Sequence, residues 1–238
     1  MILIISATRY KYEELKGTTL SCSLGADNFV KLNLNGVHAA IGQANKKVDI
    51  LYIYENTLPI AKAYNAGLSY VLNETVYDDI VFIHDDVTIE DRHFERKVQY
   101  WLTKYDVIGL AGGSDVKLEE PYLWHIMSKN RYGMVGHYID GDWYGTSFGV
   151  TNKRVNIIDG LFIGIKTQTL REKNTLRFDE GLPGFHHYDI DFSLQANLQK
   201  CRIGVVPILV THNSPGLLSI NDKKFVESQK YFKQKYSK

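Results

Sequence analysis

Apolar residues along this chain fall into two kinds of pattern: short unbroken runs, and longer stretches in which they recur every three or four positions. The first reads as buried strand and the second as amphipathic helix. Leu3-Ile4-Ile5 opens a strand that runs into the polar loop Ser6-Ala7-Thr8-Arg9. Tyr10 to Leu20 reads as a short helix ending near Gly17, with Tyr12 and Leu15 inward. Phe29 to Leu34 is a strand before an Asn35-Gly36 turn signal, and His38 to Lys46 reads as a helix. Val48 to Tyr54 is a strand, Glu55 to Pro59 a loop, and Ile60 to Leu72 a helix that Pro59 is suited to start. Ile80 to Ile83 is a short apolar run bounded by charges, followed by a helix over Glu90 to Tyr105 and a strand over Val107 to Leu110. Strands alternating with helices predict a mostly parallel α/β sheet through about residue 113.

Beyond that point the alternation stops. Asp115 to Arg154 is dense in glycine and aromatics, too aromatic for a disordered segment, and is expected to form an ordered excursion containing a β-hairpin. Val155 to Ile165 is read as a strand carrying Asp159-Gly160, and Thr167 to Glu172 as a helix. Phe178 to Phe185 is a loop, and His186-His187-Tyr188-Asp189-Ile190-Asp191 opens a helix to about Lys200. Ile203 to Val210 is the last strand, leading into the polar loop Thr211 to Gly216, and Asn221 to Lys238 is a terminal helix. With no repeat and no low-complexity linker, one domain over 1–238 is the simplest division. Its halves would be 1–113 and 114–220, with a basic helix over 221–238.

Charge and composition narrow the classes. A net charge of +1 from 28 basic and 27 acidic residues leaves no global field for nucleic acid. Cys22 and Cys201 are too far apart for a metal ribbon or a disulfide framework. The apolar start is too short for a signal peptide and no stretch reaches membrane-span length, so a soluble, cytoplasmic protein is expected. Sixteen tyrosines are the conspicuous excess, and tyrosine serves both sugar stacking and interior packing. Six lysines in the terminal helix, with Phe225, Phe232 and Tyr236 near one side, make a peripheral contact with an anionic membrane an expectation to test against plain solvation.

The candidate chemistry centres on His84-Asp85-Asp86, which directly follows the Ile80–Ile83 strand. Ligands in open α/β sheets bind outside the carboxyl ends of strands. Two adjacent carboxylates there either hold a divalent cation that carries phosphate oxygens, or cap the turn into the next element. Asp189 and Asp191 pose the same choice, since acidic residues also complement a helix N-terminus.

Taken in order, several segments resemble the GT-A nucleotide-sugar glycosyltransferases of the family 2 type and their glycosyltransferase-like branch. They are the first strand with Ser6, Ala63-Tyr64-Asn65-Ala66-Gly67, Val81 to Val87 around His84-Asp85-Asp86, Ile158-Asp159-Gly160-Leu161-Phe162, Phe185 to Phe192, and His212. The resemblance implies an inverting transfer of a sugar from a nucleotide donor, most plausibly a uridine diphosphate sugar, to a glycan, lipid-linked or protein acceptor. It implies Mn²⁺ or Mg²⁺ held by Asp86, with Asp85 and His212 as further ligands; Asp85 would also lie toward the ribose or donor sugar, and His84 departs from the family's usual carboxylate. Asp189 becomes the catalytic base, with Asp191 as runner-up base or helix support. Ser6, Thr8, Arg9, Glu55, Asn56, Lys62 and Asn65 would meet the nucleotide, and His84, Asp85, Asp159 and Gly160 the rest of the donor. Trp124, Tyr138, Trp143 and Tyr144 would either form an acceptor platform or pack the excursion. Two other classes stay open. One is a non-catalytic nucleotide- or glycan-binding module of the same fold. The other, ranked last for want of ligand spacing, is a hydrolase using His84, His186, His187 and His212.

Overall fold

A computed structural model describes residues 1–73, 76–214 and 221–237; Pro215 and Gly216 of the expected polar loop and Lys238 of the terminal helix lie outside them. The chain opens with β1 (Ile2–Ala7), a 3₁₀ turn (Tyr12–Gly17) and α1 (Thr19–Leu24), then β2 (Phe29–Leu34), β3 (Val37–Asn45) and β4 (Val48–Ile53). The helix expected over His38 to Lys46 is therefore a strand. Asn35 and Gly36 both take positive φ, 54° and 90°, the backbone of a two-residue hairpin turn. That turn sends the chain back along β2, where Gly42 lies opposite Phe29. A Cβ on Gly42 would come within 2.6 Å of the Phe29 ring, so the pairing overrides the local alanine-rich composition.

Next come α2 (Ile60–Asn73), β5 (Asp79–Ile83), β6 (Val87–Ile89), α3 (Phe94–Leu102), β7 (Val107–Gly109) and β8 (Ala111–Gly113). The expected helix over Glu90 to Tyr105 is shortened at both ends. Glu90 N–H donates to Leu209 and Asp91 Oδ1 accepts from His93 N–H, so the chain turns before Phe94. The excursion holds a 3₁₀ turn (Pro121–Leu123), α4 (Trp124–Met127) and the antiparallel hairpin β9 (Arg131–Ile139) and β10 (Asp142–Gly149). The expected Val155–Ile165 strand is three: β11 (Lys153–Val155), β12 (Ile157–Ile158) and β13 (Phe162–Lys166). After α5 (Thr167–Glu172) and α6 (Tyr188–Leu198), the expected last strand also divides, into β14 (Ile203–Val205) and β15 (Val210–His212). Pro207 lies between them, where a missing N–H interrupts any ladder. The chain ends in α7 (Lys223–Tyr236).

Nine strands form the main sheet in the order β11-β14-β7-β13-β5-β1-β4-β3-β2, and β12-β8-β9-β15-β6 form a second sheet, with β10 attached to β9. The main sheet is parallel at its centre, β4-β1-β5, where strands and helices alternate; β13 enters antiparallel between β5 and β7. This mixed α/β architecture, with helices against a large central sheet, is the GT-A-like fold that the resemblance implied. All five residues of β5 are buried, as expected of a strand covered on both faces.

α7 is not a free amphipathic surface. Phe225, Ser228 and Phe232 are buried against the protein. Asp191, fully buried, accepts hydrogen bonds from Lys235 Nζ at 2.6 Å and Tyr236 Oη at 2.7 Å, and Asp179 takes a second bond from the same ammonium at 2.6 Å. Burial alone raises the Asp191 carboxyl and disfavours the Lys235 ammonium, but the two carboxylates outweigh that at Lys235 and raise its pKa. The direct contacts at 2.6 Å mark an ionised pair. The apolar stripe expected to meet a membrane is thus already packed. No described helix is long and apolar enough to cross a membrane. Asp191→Ala takes the acceptor from the Tyr236 hydroxyl and leaves Lys235 with Asp179 alone, so it is expected to lower stability by about 2–3 kcal/mol. Urea unfolding checks this; an unchanged midpoint would show that the clamp contributes nothing.

Candidate active site

Three strand ends and one helix start converge here. β5 delivers His84, Asp85 and Asp86 at its carboxyl end, and β15 delivers His212, opposite Val87 in the antiparallel pairing with β6. Asn213 backs this junction, with its N–H and its side-chain amide both donating to the Asp86 carbonyl. Ligand atoms of His84, Asp86 and His212 lie within 4.8 Å of one another. Asp86 Oδ1 is buried and 3.2 Å from His212 Nε2, within ion-pair reach of that imidazole. A buried carboxylate oxygen facing an imidazole nitrogen fits two groups that could share a cation. The His84 ring is fixed by a 2.9 Å contact between Nε2 and the Tyr188 hydroxyl, the outer partner that a ligating histidine needs. Burial holds His84 below its ordinary pKa, hence neutral and able to ligate. Two imidazoles and one carboxylate suit Mn²⁺ better than Mg²⁺.

The neighbouring carboxylates behave differently. Burial, with Asp86 adding to it, pushes Asp85 up against the stabilising Thr8 hydroxyl. At Asp86 burial works the same way, but His212 and His84 outweigh it and hold the carboxyl below the usual range. The structure therefore groups His84, not Asp85, with Asp86 and His212. Asp85 instead faces a cavity of about 620 Å³, together with Thr8, Arg9, Asn56, Asp86 and Phe185. Tyr10, Glu14 and Thr19 complete its rim.

Of the residues expected at the nucleotide, Thr8, Arg9 and Asn56 line this cavity. Asn56 also braces its own loop through two hydrogen bonds to the Leu58 backbone. Glu55, at φ 49°, lines an adjoining cavity of about 410 Å³ with Arg9, Asn56, Phe185 and Lys224. Ser6 is fully buried, with an unpartnered Oγ, and lines neither cavity. Lys62 is exposed on α2 and lines neither. Asn65 ties α2 to the loop before α6, bonding Phe178 through both its amide and its carbonyl. Phe185 is a wall that sequence reasoning missed; the Arg9 guanidinium lies 5.5 Å from its ring centre. Nothing local marks that phenylalanine, because its role depends on the loop that carries it across the mouth of β1.

α6 supplies the opposite side. His187 precedes it in the left-handed region, φ 64°, and its Nδ1 lies 2.9 Å from Ser228 Oγ of α7, away from the cluster. His186 is likewise outside the cluster. Tyr188 spans the site, bonding His84 at one end of its hydroxyl and the Gly160 carbonyl at the other. Asp189 Oδ2 accepts the Gly160 N–H at 2.9 Å. Burial first, then the Asp159 carboxylate, push Asp189 up to about 7 against the Gly160 and Ile190 N–H groups. Asp159 itself closes a turn onto Leu161 N–H. Asp191 faces α7, as described above.

A family model described as "Glycosyltransferase like family" matches residues 40–237. The chain belongs to that glycosyltransferase-like family. The match spans β5, the Asp159-Gly160 turn, α6 and β15, so His84, Asp86, His212 and Asp189 all fall within it. A search of curated protein sequences returns no match. Among solved structures, the chain is similar to a crystal structure of A197 from STIV at 12% identity, covering 93% of this chain and 98% of that one, with a TM-score of 0.45. A second, a Campylobacter jejuni 5'-methylthioadenosine/S-adenosyl homocysteine nucleosidase, gives 9% identity, 97% and 93% coverage, and a TM-score of 0.29. Both likenesses are too slight to bear on the site. For a member of the glycosyltransferase-like family, the coarse activity is transfer of a glycosyl group.

Gly160 is the tightest point of the arrangement. A Cβ there would lie 2.3 Å from the Tyr188 hydroxyl and 2.9 Å from Asp189 Cβ. Gly160→Ala is therefore expected to force Tyr188 off His84 and to destabilise by about 1–3 kcal/mol, as overpacking does. Thermal unfolding reads the loss, and an unchanged melting temperature would mean that the turn relaxes freely.

Proposed function

We propose that the protein is an inverting, metal-dependent glycosyltransferase that moves a sugar from a nucleotide donor, uridine diphosphate being the first to test, to a hydroxyl-bearing acceptor. One observation carries this reading. A His-Asp-His cluster able to hold a cation and a carboxylate with a raised pKa stand on either side of Tyr188, beside a cavity of about 620 Å³. His84, Asp86 and His212 would hold the ion, which when bound would neutralise charge on the diphosphate. Thr8, Arg9, Asn56 and Phe185 would orient the nucleotide, and Asp85 would meet its ribose or sugar hydroxyls as an acceptor. Asp189 would take the proton from the acceptor hydroxyl. That oxygen would form a bond to the anomeric carbon as the carbon–oxygen bond to the diphosphate breaks, and the nucleoside diphosphate would leave with the electron pair. A base opposite the leaving group gives inversion. The domain division into a nucleotide half over 1–113 and an acceptor half over 114–220 follows the same logic.

Two measurements test the reading. Uridine diphosphate should bind at least tenfold more tightly with Mn²⁺ than with a chelator, and Asp86→Ala should erase that difference in calorimetry. Equal binding by parent and variant in Mn²⁺ would remove Asp86 from the ion site. Binding intact in the absence of any donor turnover would favour the non-catalytic module.

Asp189 adds a pH signature. With its pKa near 7, the carboxylate is mostly protonated at pH 6, so turnover should rise with pH through neutrality and fall about tenfold per unit below it. Asp189→Asn should reduce turnover by about a hundred- to ten-thousand-fold with donor affinity kept. Because the folded pKa lies above the unfolded one, ionising Asp189 costs stability as pH rises from about 4 to 7, and Asp189→Asn should abolish that loss. A variant with the parental turnover would assign the base to another group.

A further inference from the structure

The hairpin β9–β10 lies against β15, and its register sorts its aromatic residues onto two faces. Directly paired residues in a sheet project to the same side, and successive residues to opposite sides. Thr211 pairs with Gly136, which pairs with Gly145; Trp143 pairs with Tyr138, two residues from Gly136 on the same face. The indole follows this placement. Its Nε1 donates to Thr211 Oγ1 at 3.1 Å, and a Cβ on Gly136 or Gly145 would meet the ring at 2.8 Å and 3.1 Å. Two glycines thus make the bed on which Trp143 lies, and its one polar atom is satisfied.

His212 sits on the other face. It pairs with His137, their ring centres 5.9 Å apart, and His137 pairs with Tyr144. At the base of this face Val135 is buried and Phe148 packs on Trp124, their centres 5.3 Å apart. Toward the hairpin tip the face opens: His137 is half-buried and Tyr144 is 53% exposed. The row Tyr144–His137–His212 therefore leads from solvent to the cation cluster. None of these three residues lines the cavity around Thr8, Arg9 and Phe185.

We infer that Tyr144 and His137 form the acceptor subsite and take a pyranose ring, and that Trp143, although equally exposed, is a clamp outside it. The role as acceptor rests on the transfer reading above; the glycan chemistry rests on the row itself. A half-exposed phenol ring offers its electron-rich face to sugar C–H groups, and imidazole and phenol groups bond sugar hydroxyls. The row ends on His212 and takes no part in the cavity lining, so an acceptor held on it would approach the cluster without displacing the donor.

Saturation-transfer difference NMR with methyl β-D-glucopyranoside, methyl β-D-galactopyranoside and methyl N-acetyl-β-D-glucosaminide tests the inference. Melting temperatures serve as the folding control, and Tyr144→Leu is the second variant should Tyr144→Ala unfold. At least one pyranoside should bind the parent, weaken about tenfold in Tyr144→Ala, and recover in Tyr144→Phe, which keeps the ring. Trp143→Phe should lower the melting temperature and leave pyranoside binding within about twofold. Undiminished binding to Tyr144→Ala, or no pyranoside bound by the parent, would overturn the subsite. So would a loss confined to Trp143→Phe. A parent that binds pyranosides through Tyr144 and consumes no donor would overturn the transfer reading and keep the glycan site. A parent that consumes donor and ignores the Tyr144 change would do the reverse.

Discussion

The site depends on β5 being dry on both faces. Its five buried residues lie between β1 and β13, so the strand has no freedom to slide, and its carboxyl end must emerge at a fixed place. The three polar groups that follow are only partly relieved of burial. That single constraint produces most of the local electrostatics: a neutral His84, an Asp85 whose charge is disfavoured, and an Asp86 that keeps its charge chiefly through His212. A cation held among them would satisfy such a set, the buried Asp86 oxygen included.

Tyr188 links that end of the sheet to α6. Its buried hydroxyl, caught between His84 and the Gly160 carbonyl, couples the position of the cluster to the Asp159-Gly160 turn and so to Asp189. Glycine is required there by contact rather than by backbone freedom, since the obstacle is the Tyr188 ring itself. The cluster and Asp189 are thus held in one hydrogen-bonded frame, the arrangement that the proposed alignment of binding with proton removal requires.

Much of this was legible in the sequence. The Ile80–Ile83 run marked its own strand because burial on both faces leaves no polar position, and the carboxylates after it marked a ligand end. The Asn35-Gly36 turn was readable too, but its consequence, a strand over Val37–Asn45, was lost to an alanine-rich window that resembles helix. Split strands were missed wherever one apolar run serves two sheets, as Ile203–Val210 does, because hydrophobicity records burial and not the partner. At the site, the choice between Asp85 and His84 as neighbour of His212 turned on which side chain faces β15. These residues lie in the turn between β5 and β6, where no strand periodicity tells which side chain points which way.

The same geometry separates Asp189 from Asp191. Residues two apart on an α-helix lie about 200° apart around its axis, so these carboxylates cannot serve one site together. Asp189 points at the Gly160 N–H and shares a field with Asp159, while Asp191 is sealed beneath Lys235 and Tyr236. A paired acidic motif at a helix start is therefore two devices in one turn. The first carboxylate is left without a cation beside it, and its pKa rises. The second receives the ammonium and holds α7 across the loop that carries Phe185, with Tyr231 and Lys235 both reaching Asp179 at the start of that loop. The Gly160 contact on one face of α6 and closure on the other come from a single turn of one short helix, so a change on the closing face should reach the cavity wall before it reaches Asp189.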